Sequence, residues 1–525
     1  MKLLACQRFR SSQPRSGIVL VVVMVLVVMI AMAGFGFVAS MSTERQGTEL
    51  HGDAIQAEAA VASAELYIAQ LLDMPAAERA LAGGMLDNPD LFRGVPLQPA
   101  VIAVSEQEQR GEQTEPWRFT VVAPGFDAET TLLRFGLQNE SARLNIATLM
   151  QWERDNPGSA HRALMALPGM TPDIADSLPD WIDEDDATRD QGAESDFYGQ
   201  LRRPYEPRNS IPAFVEELQL VRGINRLVLF GVDHDRNGFI DPLERSATFD
   251  AARGGSDDIE STQLGLSNWI TLYSAESNVD RFGRARVNLN GPDLPALRQS
   301  LSEFLPLDIV EFVLLWREYG VAPPGLPAGQ IATIADMIDA VVQVPQGSDV
   351  STVSSPLTLN SESTREYLPL LLERTTTSPE KTIVGRINIH EAPQPVLAAI
   401  PGISEGTVDR ILQQRRDLDD RARQSVAWLL TDAVLPLQTF KAVLPWITAG
   451  GDVYRAQIVA FRHNERGPVR RHEVVFDAAN SRARRVCWKD LSAQGPGYPL
   501  GMLSPEQDRQ QLVSNQFSST SNPEH

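Results

Sequence analysis

An apolar run from Ile18 to about Ala39, with no charged residue in it, constrains this chain more than any other feature. It begins Ile18-Val-Leu-Val-Val-Val-Met-Val-Leu-Val-Val-Met-Ile-Ala-Met. A helix rises about 1.5 Å per residue, so the run spans a hydrocarbon core of roughly 30 Å. In front of it lies a basic leader, Met1 to Gly17, with Lys2, Arg8, Arg10 and Arg15 and no acid. Positive charge holds the leader in the cytoplasm and sends the rest of the chain outward. Whatever follows must therefore fold while tethered at one end.

An ordinary secretory signal has a shorter apolar core, followed by small residues where it is cut. Here the available cut point, Gly17 before Ile18, precedes the apolar run, so cutting leaves the membrane helix on the mature protein. Glycine suits such a site because no side chain obstructs the approach of a protease. The arrangement resembles the class III leader of type IV pilins and pseudopilins, which a prepilin peptidase cuts after glycine before methylating the new amino terminus. The alternative is a signal anchor that is never processed. Pilin-like subunits resemble one another in a glutamate at the fifth mature position, which here is Val22. A carboxylate in the bilayer costs roughly 2.5–3.5 kcal/mol and needs a partner, thought to be the amino terminus of the neighbouring subunit. A tip subunit has no neighbour ahead of it and no use for the charge; a plain anchor would also lack it.

From Ser42 to about Asp73 the pattern is helical, with Leu50, Ile55, Ala59, Val61, Ala62, Leu66, Ile68 and Leu72 as the apolar positions. No proline separates this stretch from the membrane span, which predicts one long helix; the alternative is a second helix after a hinge near Gly47. Strand patterns follow at Trp117–Ala123 and Thr130–Leu137, and again near the far end at Tyr454–Phe461, His472–Asp477 and Ala483–Trp488. Short strands need a sheet of three or more to be stable. The simplest assembly joins early and late strands into one small antiparallel sheet on the helix. The expected fold class is α+β, a pilin-like sheet and helix interrupted by a large, mostly helical insertion between about 143 and 445.

The formal net charge of −21 argues against nucleic acid as the main partner, because phosphates would be repelled, and suits divalent cations. Of two cysteines, Cys6 lies in the leader and Cys487 is then alone, so the mature chain has no internal disulfide and needs another staple. The insertion holds a weak internal echo: Arg143-Leu-Asn-Ile, Arg286-Val-Asn-Leu and Arg386-Ile-Asn-Ile each open a helical stretch. Two of them lead to proline-glycine turns, Pro168-Gly169 and Pro401-Gly402, as in a helix-hairpin-helix. Such hairpins bind DNA phosphates, which makes a DNA-binding minor pilin of an uptake system the alternative function. Asp173, Asp176, Glu405 and Asp409 beside the turns disfavour it.

The segments Asp180-Trp-Ile-Asp-Glu-Asp-Asp, Gly192-Ala-Glu-Ser-Asp-Phe-Tyr, Pro204-Tyr and Glu217-Leu-Gln-Leu-Val-Arg-Gly-Ile resemble the type II secretion minor pseudopilin family, general secretion pathway protein K. The block Arg386-Ile-Asn-Ile-His-Glu-Ala-Pro resembles the second helical part of that family. The resemblance implies a single-pass inner-membrane subunit with its bulk in the periplasm. It also implies a pilin fold with a helical insertion, and a place at the pseudopilus tip with other minor pseudopilins. It divides the chain into a leader (1–17), a transmembrane helix (18–40) and the pilin-like helix with first strands (41–142). A first helical, SAM-like or helix-hairpin-helix-like part (143–225) follows, then an extra segment (226–285) and a second helical part (286–445). The C-terminal strands (446–500) and a polar tail (501–525) complete it. The extra segment and the tail depart from the family pattern.

The extra segment carries Asp233-His-Asp235-Arg-Asn237-Gly238-Phe239-Ile240-Asp241-Pro-Leu-Glu244, the twelve-residue pattern of an EF-hand calcium loop. Calcium is a hard cation that takes 6–8 oxygens at about 2.3–2.6 Å. Asp233, Asp235 and Asn237 offer side-chain oxygens, Phe239 its carbonyl, Asp241 an oxygen directly or through water, and Glu244 both oxygens. Gly238 permits the sharp turn and Ile240 is expected to point into the core. The alternative is an Asx-rich turn. A second acidic group, Asp183, Asp185, Asp186, Glu194 and Asp196, lies in a loop with Asp190; the resembled family binds calcium in its helical domain, and a solvated surface loop has the same composition. No catalytic constellation emerges: seven histidines are scattered. Gly402-Ile-Ser404-Glu-Gly406 matches a nucleophile pattern, but without the preceding strand that the pattern needs. A structural, non-enzymatic role is expected, with calcium as cofactor and with other minor pseudopilins, prepilin peptidase and the membrane as partners.

Overall fold

The computed structural model describes residues 16–97, 116–125, 133–241, 244, 264–320, 327–346, 349–462, 468–480 and 482–504. The leader to residue 15 and the tail from 505 lie outside them. Helix α1 (Ser16–Leu72) is continuous, without a hinge at Gly47. Its 57 residues give a length of about 85 Å. The apolar half, Ile18 to Val38, is bare, whereas Ala57, Ala60, Val61, Ala64, Ile68 and Leu72 are buried in a single stripe. The stripe is alanine-rich, which lets the helix axis approach the sheet closely. Of the larger side chains expected on that face, Val61, Ile68 and Leu72 are buried there, whereas Leu50, Ile55 and Leu66 are 65%, 58% and 74% exposed.

The sheet that receives α1 contains, among the described residues, β1 (Val95–Pro96), β2 (Arg118–Pro124), β3 (Leu133–Phe135), β4 (Gln138–Asn139), β5 (Val453–Phe461), β6 (Arg470–Asp477) and β7 (Arg484–Asp490). Its order is β1-β2-β5-β6-β7, with β3 on β2 and β4 on β5. All pairings are antiparallel, with Val121 opposite Ile458 and Tyr454 opposite Phe476. Early and late segments thus share one sheet, as their patterns implied. Alternation along each strand makes two faces. Phe119, Val121, Ala456, Ile458, Ala460, Val474 and Phe476 meet α1, and Val122, Val459 and Phe461 point the other way beneath Tyr498 and Leu503. Both faces are covered, which is why β5 is buried throughout rather than at alternate positions.

Between β4 and β5 the chain builds a core of its own, around Trp152, Trp181, Tyr198, Phe312, Trp428 and Phe440. It is not purely helical. Each Arg-x-Asn segment, expected to open a helix, first forms a two-residue strand in parallel pairing with a later dipeptide. The pairs are Leu144-Asn145 with Ile270-Thr271, Val287-Asn288 with Thr375-Thr376, and Ile387-Asn388 with Ile447-Thr448. In each, the asparagine side chain accepts the backbone N–H two residues on, at 2.9 Å for Ala147 and Asn290 and 3.0 Å for His390. That local bond ends the strand and turns the chain into the following helical segment. The echo in sequence is a threefold structural repeat.

A buried ionic network fastens this insertion to the sheet. Arg455 on β5 pairs with Glu140 at 2.7 Å, at the point where the chain leaves β4, and with Glu473 on β6 at 3.0 Å. Lys489 on β7 joins Glu473 at 3.3 Å and Glu216 of the insertion at 2.8 Å. Burial pushes the Glu140 carboxyl up, but Arg455 and Arg143 outweigh it and hold it below its ordinary range.

Candidate metal centre

A short helix, Arg226–Phe230, ends at Gly231 and delivers the chain to Asp233. Arg236 and Gly238 are left-handed, with φ 58 and 83, at the fourth and sixth positions of the loop. A side chain at 238 would also lie 2.7 Å from Pro124 at the end of β2, so glycine is required twice over. The turn aims backbone donors at the carboxylates. Asp233 accepts from Asn237 at 3.1 Å and Gly238 at 2.9 Å, Asp235 from Asn237 at 3.0 Å, and Glu244 from His234 at 2.7 Å and Asp241 at 2.9 Å.

Asp233, Asp235 and Glu244, at positions 1, 3 and 12, bring carboxylate oxygens within 4.8 Å of one another. Asp233 is buried, and burial raises its carboxyl to about 7; the Gly238 N–H opposes the rise, and Asp235 and Glu244 add to it. Asp235 is also raised by burial, against the pull of Arg471. Crowded carboxylates in a low dielectric hold their charge only beside a cation. An all-oxygen donor set fits a hard one.

The remaining loop positions divide. Asn237 is buried, but its side-chain oxygen accepts the Phe239 N–H at 2.7 Å. Asp241 is exposed, and its carboxylate is not one of the three that converge. Ile240 is half-buried rather than in the core; the apolar anchor is Phe239, whose ring packs 6.3 Å from that of Tyr498. Pro242 and Leu243 lie outside the described residues. Sequence reasoning missed the groups that grip the loop from far along the chain. Arg471 donates to the Asp235 carbonyl, Gln457 to that of Arg236 at 2.7 Å, and Tyr498 lies 2.9 Å from that of Asn237. Nothing local marks these residues.

The second acidic group gathers around Glu194, which is 3% exposed with neither carboxylate oxygen bonded. Burial, then Asp180, Asp183, Asp186 and Asp185, raise it to about 8. Asp183 pairs with Arg189 at 2.7 Å through one oxygen and leaves the other buried without a partner. Asp186 accepts from Ser195 at 2.8 Å and Asp185 from the Ala187 N–H at 2.8 Å, whereas Asp196 is exposed. Asp180, fully buried and paired with Arg189, is the member that sequence reasoning left out of the group; a side chain at Gly192 would collide with it.

Among the described residues only Asp233, Asp235 and Glu244 converge closely enough to hold an ion. Both acidic groups nevertheless predict an inverted pH dependence in chelated protein. Asp233 and Glu194 keep protons to about 7 and about 8, which an unfolded chain releases near 4. The folded state then binds more protons, so stability falls as pH rises through that window and levels off above it. Chelated protein should melt lower at pH 8.5 than at pH 5, and a Glu194→Gln, Asp233→Asn double variant should lose part of that difference, with Glu391, which burial also raises to about 7, keeping a share of the rest. A wild-type melting temperature that rose across the same interval would contradict these environments.

The other motifs have ordinary geometry. Gly169 and Gly402 take φ 73 and 88 in turns between α2 (Ser159–Met165) and α3 (Pro172–Ile182), and between α4 (Gln394–Ala398) and α5 (Glu405–Gln414). Ser404 precedes α5 and follows a helix, not a strand, with its hydroxyl 3.0 Å from that of Thr407. Gly17 and Ile18, where processing is expected, lie in the first turn of α1.

Residues 142–229 match the family model described as type II secretion system (T2SS), protein K. The match takes in the Asp180, Gly192, Pro204 and Glu217 motifs and bears out the resemblance they carry. Among solved structures, the chain is similar to one in the crystal structure of the GspK-GspI-GspJ complex from the enterotoxigenic Escherichia coli type 2 secretion system. The identity is 10% and the TM-score 0.37, over 85% of this chain and 98% of that one. No curated protein matches.

Proposed function

We propose that this chain is a minor pseudopilin that sits at the tip of a type II secretion pseudopilus and assembles there with other minor pseudopilins to take part in protein export. The observation that carries this reading is where the protein K match falls. It lies in an insertion between β4 and β5, in a sheet packed on the outer half of a helix whose inner half is bare and apolar.

In this reading the bare half of α1 stores the subunit in the inner membrane, with the bulk of the chain in the periplasm, until prepilin peptidase cuts after Gly17. Val22 places no carboxylate in the bilayer, which suits a subunit with no neighbour ahead of it. The outer face of α1, with exposed Ile55 and Leu66, packs beside partner helices. Apolar area buried there contributes roughly 25 cal/mol per Å², less the cost of association. Calcium in the Asp233–Glu244 loop staples a mature chain whose remaining cysteine, Cys487, is free. The role is structural rather than enzymatic.

Two experiments test it. Gly17→Phe in the native host should yield a longer, unprocessed protein; a mature wild-type protein that still begins at Met1 would end the pseudopilin reading. Leu66→Glu should abolish co-purification of partner subunits while leaving the melting temperature within about 1 °C, because an exposed position contributes little to stability. Undiminished co-purification would remove this face from the assembly.

A further inference from the structure

We infer that the Asp233–Glu244 loop is a cation-operated latch for the carboxyl-terminal strap, residues 495–504, which covers the sheet face opposite α1. The inference rests on the calcium reading above and adds what the ion controls.

The strap closes over Val122, Val459 and Phe461 with Tyr498 and Leu503, which are 6% and 0% exposed. The sheet holds it through the Thr120 hydroxyl, which donates to the Leu503 carbonyl at 2.9 Å, and Arg93 donates to the Met502 carbonyl at 2.7 Å. Its other fastening is the loop. The Asn237 amide donates to the Gly497 carbonyl at 2.9 Å, and the Tyr498 hydroxyl lies 2.9 Å from both the Asn237 carbonyl and the Gln457 side-chain oxygen.

Three successive loop carbonyls, Asp235, Arg236 and Asn237, are therefore taken by β6, by β5 and by the strap. Arg471 stands between the two partners. It is fully buried, donates to the Asp235 carbonyl, and has Nε and Nη1 without a partner. Its Nη1 lies where a Cβ on Gly497 would fall, 1.7 Å away. The same guanidinium thus touches loop and strap.

A cation held by Asp233, Asp235 and Glu244 fixes the positions of these carbonyls. Without it, nothing draws the three carboxyl groups together, and the loop relaxes by opening, which withdraws the Asn237 carbonyl from Tyr498. Linkage makes the effect reciprocal: whatever loosens the strap must weaken the ion.

The test uses full-length protein in detergent, with calcium chloride, magnesium chloride or EDTA. Hydrogen exchange across 495–504 should slow on the order of tenfold in calcium. Calorimetric calcium titration should show affinity reduced on the order of fivefold by Leu503→Ala, which lies away from the loop, and by the milder Tyr498→Phe. Should Leu503→Ala fail to fold, Tyr498→Phe and the wild-type exchange comparison decide. Calcium binding with unchanged strap exchange and unchanged variant affinities would overturn the latch and leave the site standing. No calcium binding at all would overturn both.

Discussion

Asp233→Asn should destabilise the protein in calcium and do the reverse in EDTA. With calcium at a hundredfold excess over its dissociation constant, the ion adds about 2.7 kcal/mol to the wild type, and the variant should lose most of that. In EDTA the substitution removes a buried carboxyl whose affinity for protons is raised to about 7, so the variant should melt at or above the wild-type temperature. The crossing of the two curves is the diagnostic result. An Asx-rich turn without an ion predicts the same change in both buffers, because there calcium adds nothing to the bonds of Asp233 with Asn237 and Gly238. Thermal melts of wild type and variant under the two conditions separate the two.

Arg455→Met should cost about 3–5 kcal/mol, the largest loss expected from a single polar position. It strands Glu140, which is 0% exposed, and takes from Glu473 a partner at 3.0 Å. Arg143, 3.6 Å from Glu140, and Lys489, 3.3 Å from Glu473, remain and set the lower end of the range. Pairing the change with Glu140→Gln should recover part of the loss, because the stranded charge is then gone. Urea melts of the four proteins close the cycle. Full additivity of the two single losses would show that Arg455 and Glu140 do not act on each other. The pair sits at the root of the insertion, so its weakening should also loosen the junction between insertion and sheet, read as faster hydrogen exchange at 138–145.

The linear pattern carried a good deal of this structure because much of it is local. An uncharged apolar run reads as a membrane-spanning helix by length and chemistry alone, and strand-forming runs marked β5 and β6 within a few residues of their ends. The twelve-residue loop was legible because each position has its own requirement: acids at 233, 235 and 244, and glycine at 238 for a positive φ. The echo of Arg143, Arg286 and Arg386 was visible, but its meaning was not. The strand partners Ile270-Thr271, Thr375-Thr376 and Ile447-Thr448 are dipeptides too short to carry a pattern.

The stripe that α1 buries is only partly legible, for a related reason: Val61, Ile68 and Leu72 belong to it as expected, whereas Ile55 and Leu66 do not. Leu66 and Ile55 are the more apolar side chains, yet Ala60 and Ala64 face the sheet, because close approach of two backbones rewards small residues over greasy ones. Composition and spacing, then, determined the apolar helix, the sheet and the acids and glycine of the loop, since each follows from the chemistry of neighbouring residues. Only the tertiary structure decided which face of the helix is covered, and which acids lose their water at Glu194 and Asp233. It alone decided that Arg471, Gln457 and Tyr498, more than two hundred residues downstream, grip the loop. Those outcomes depend on burial and on contacts between distant segments, which exist only once the chain has closed on itself.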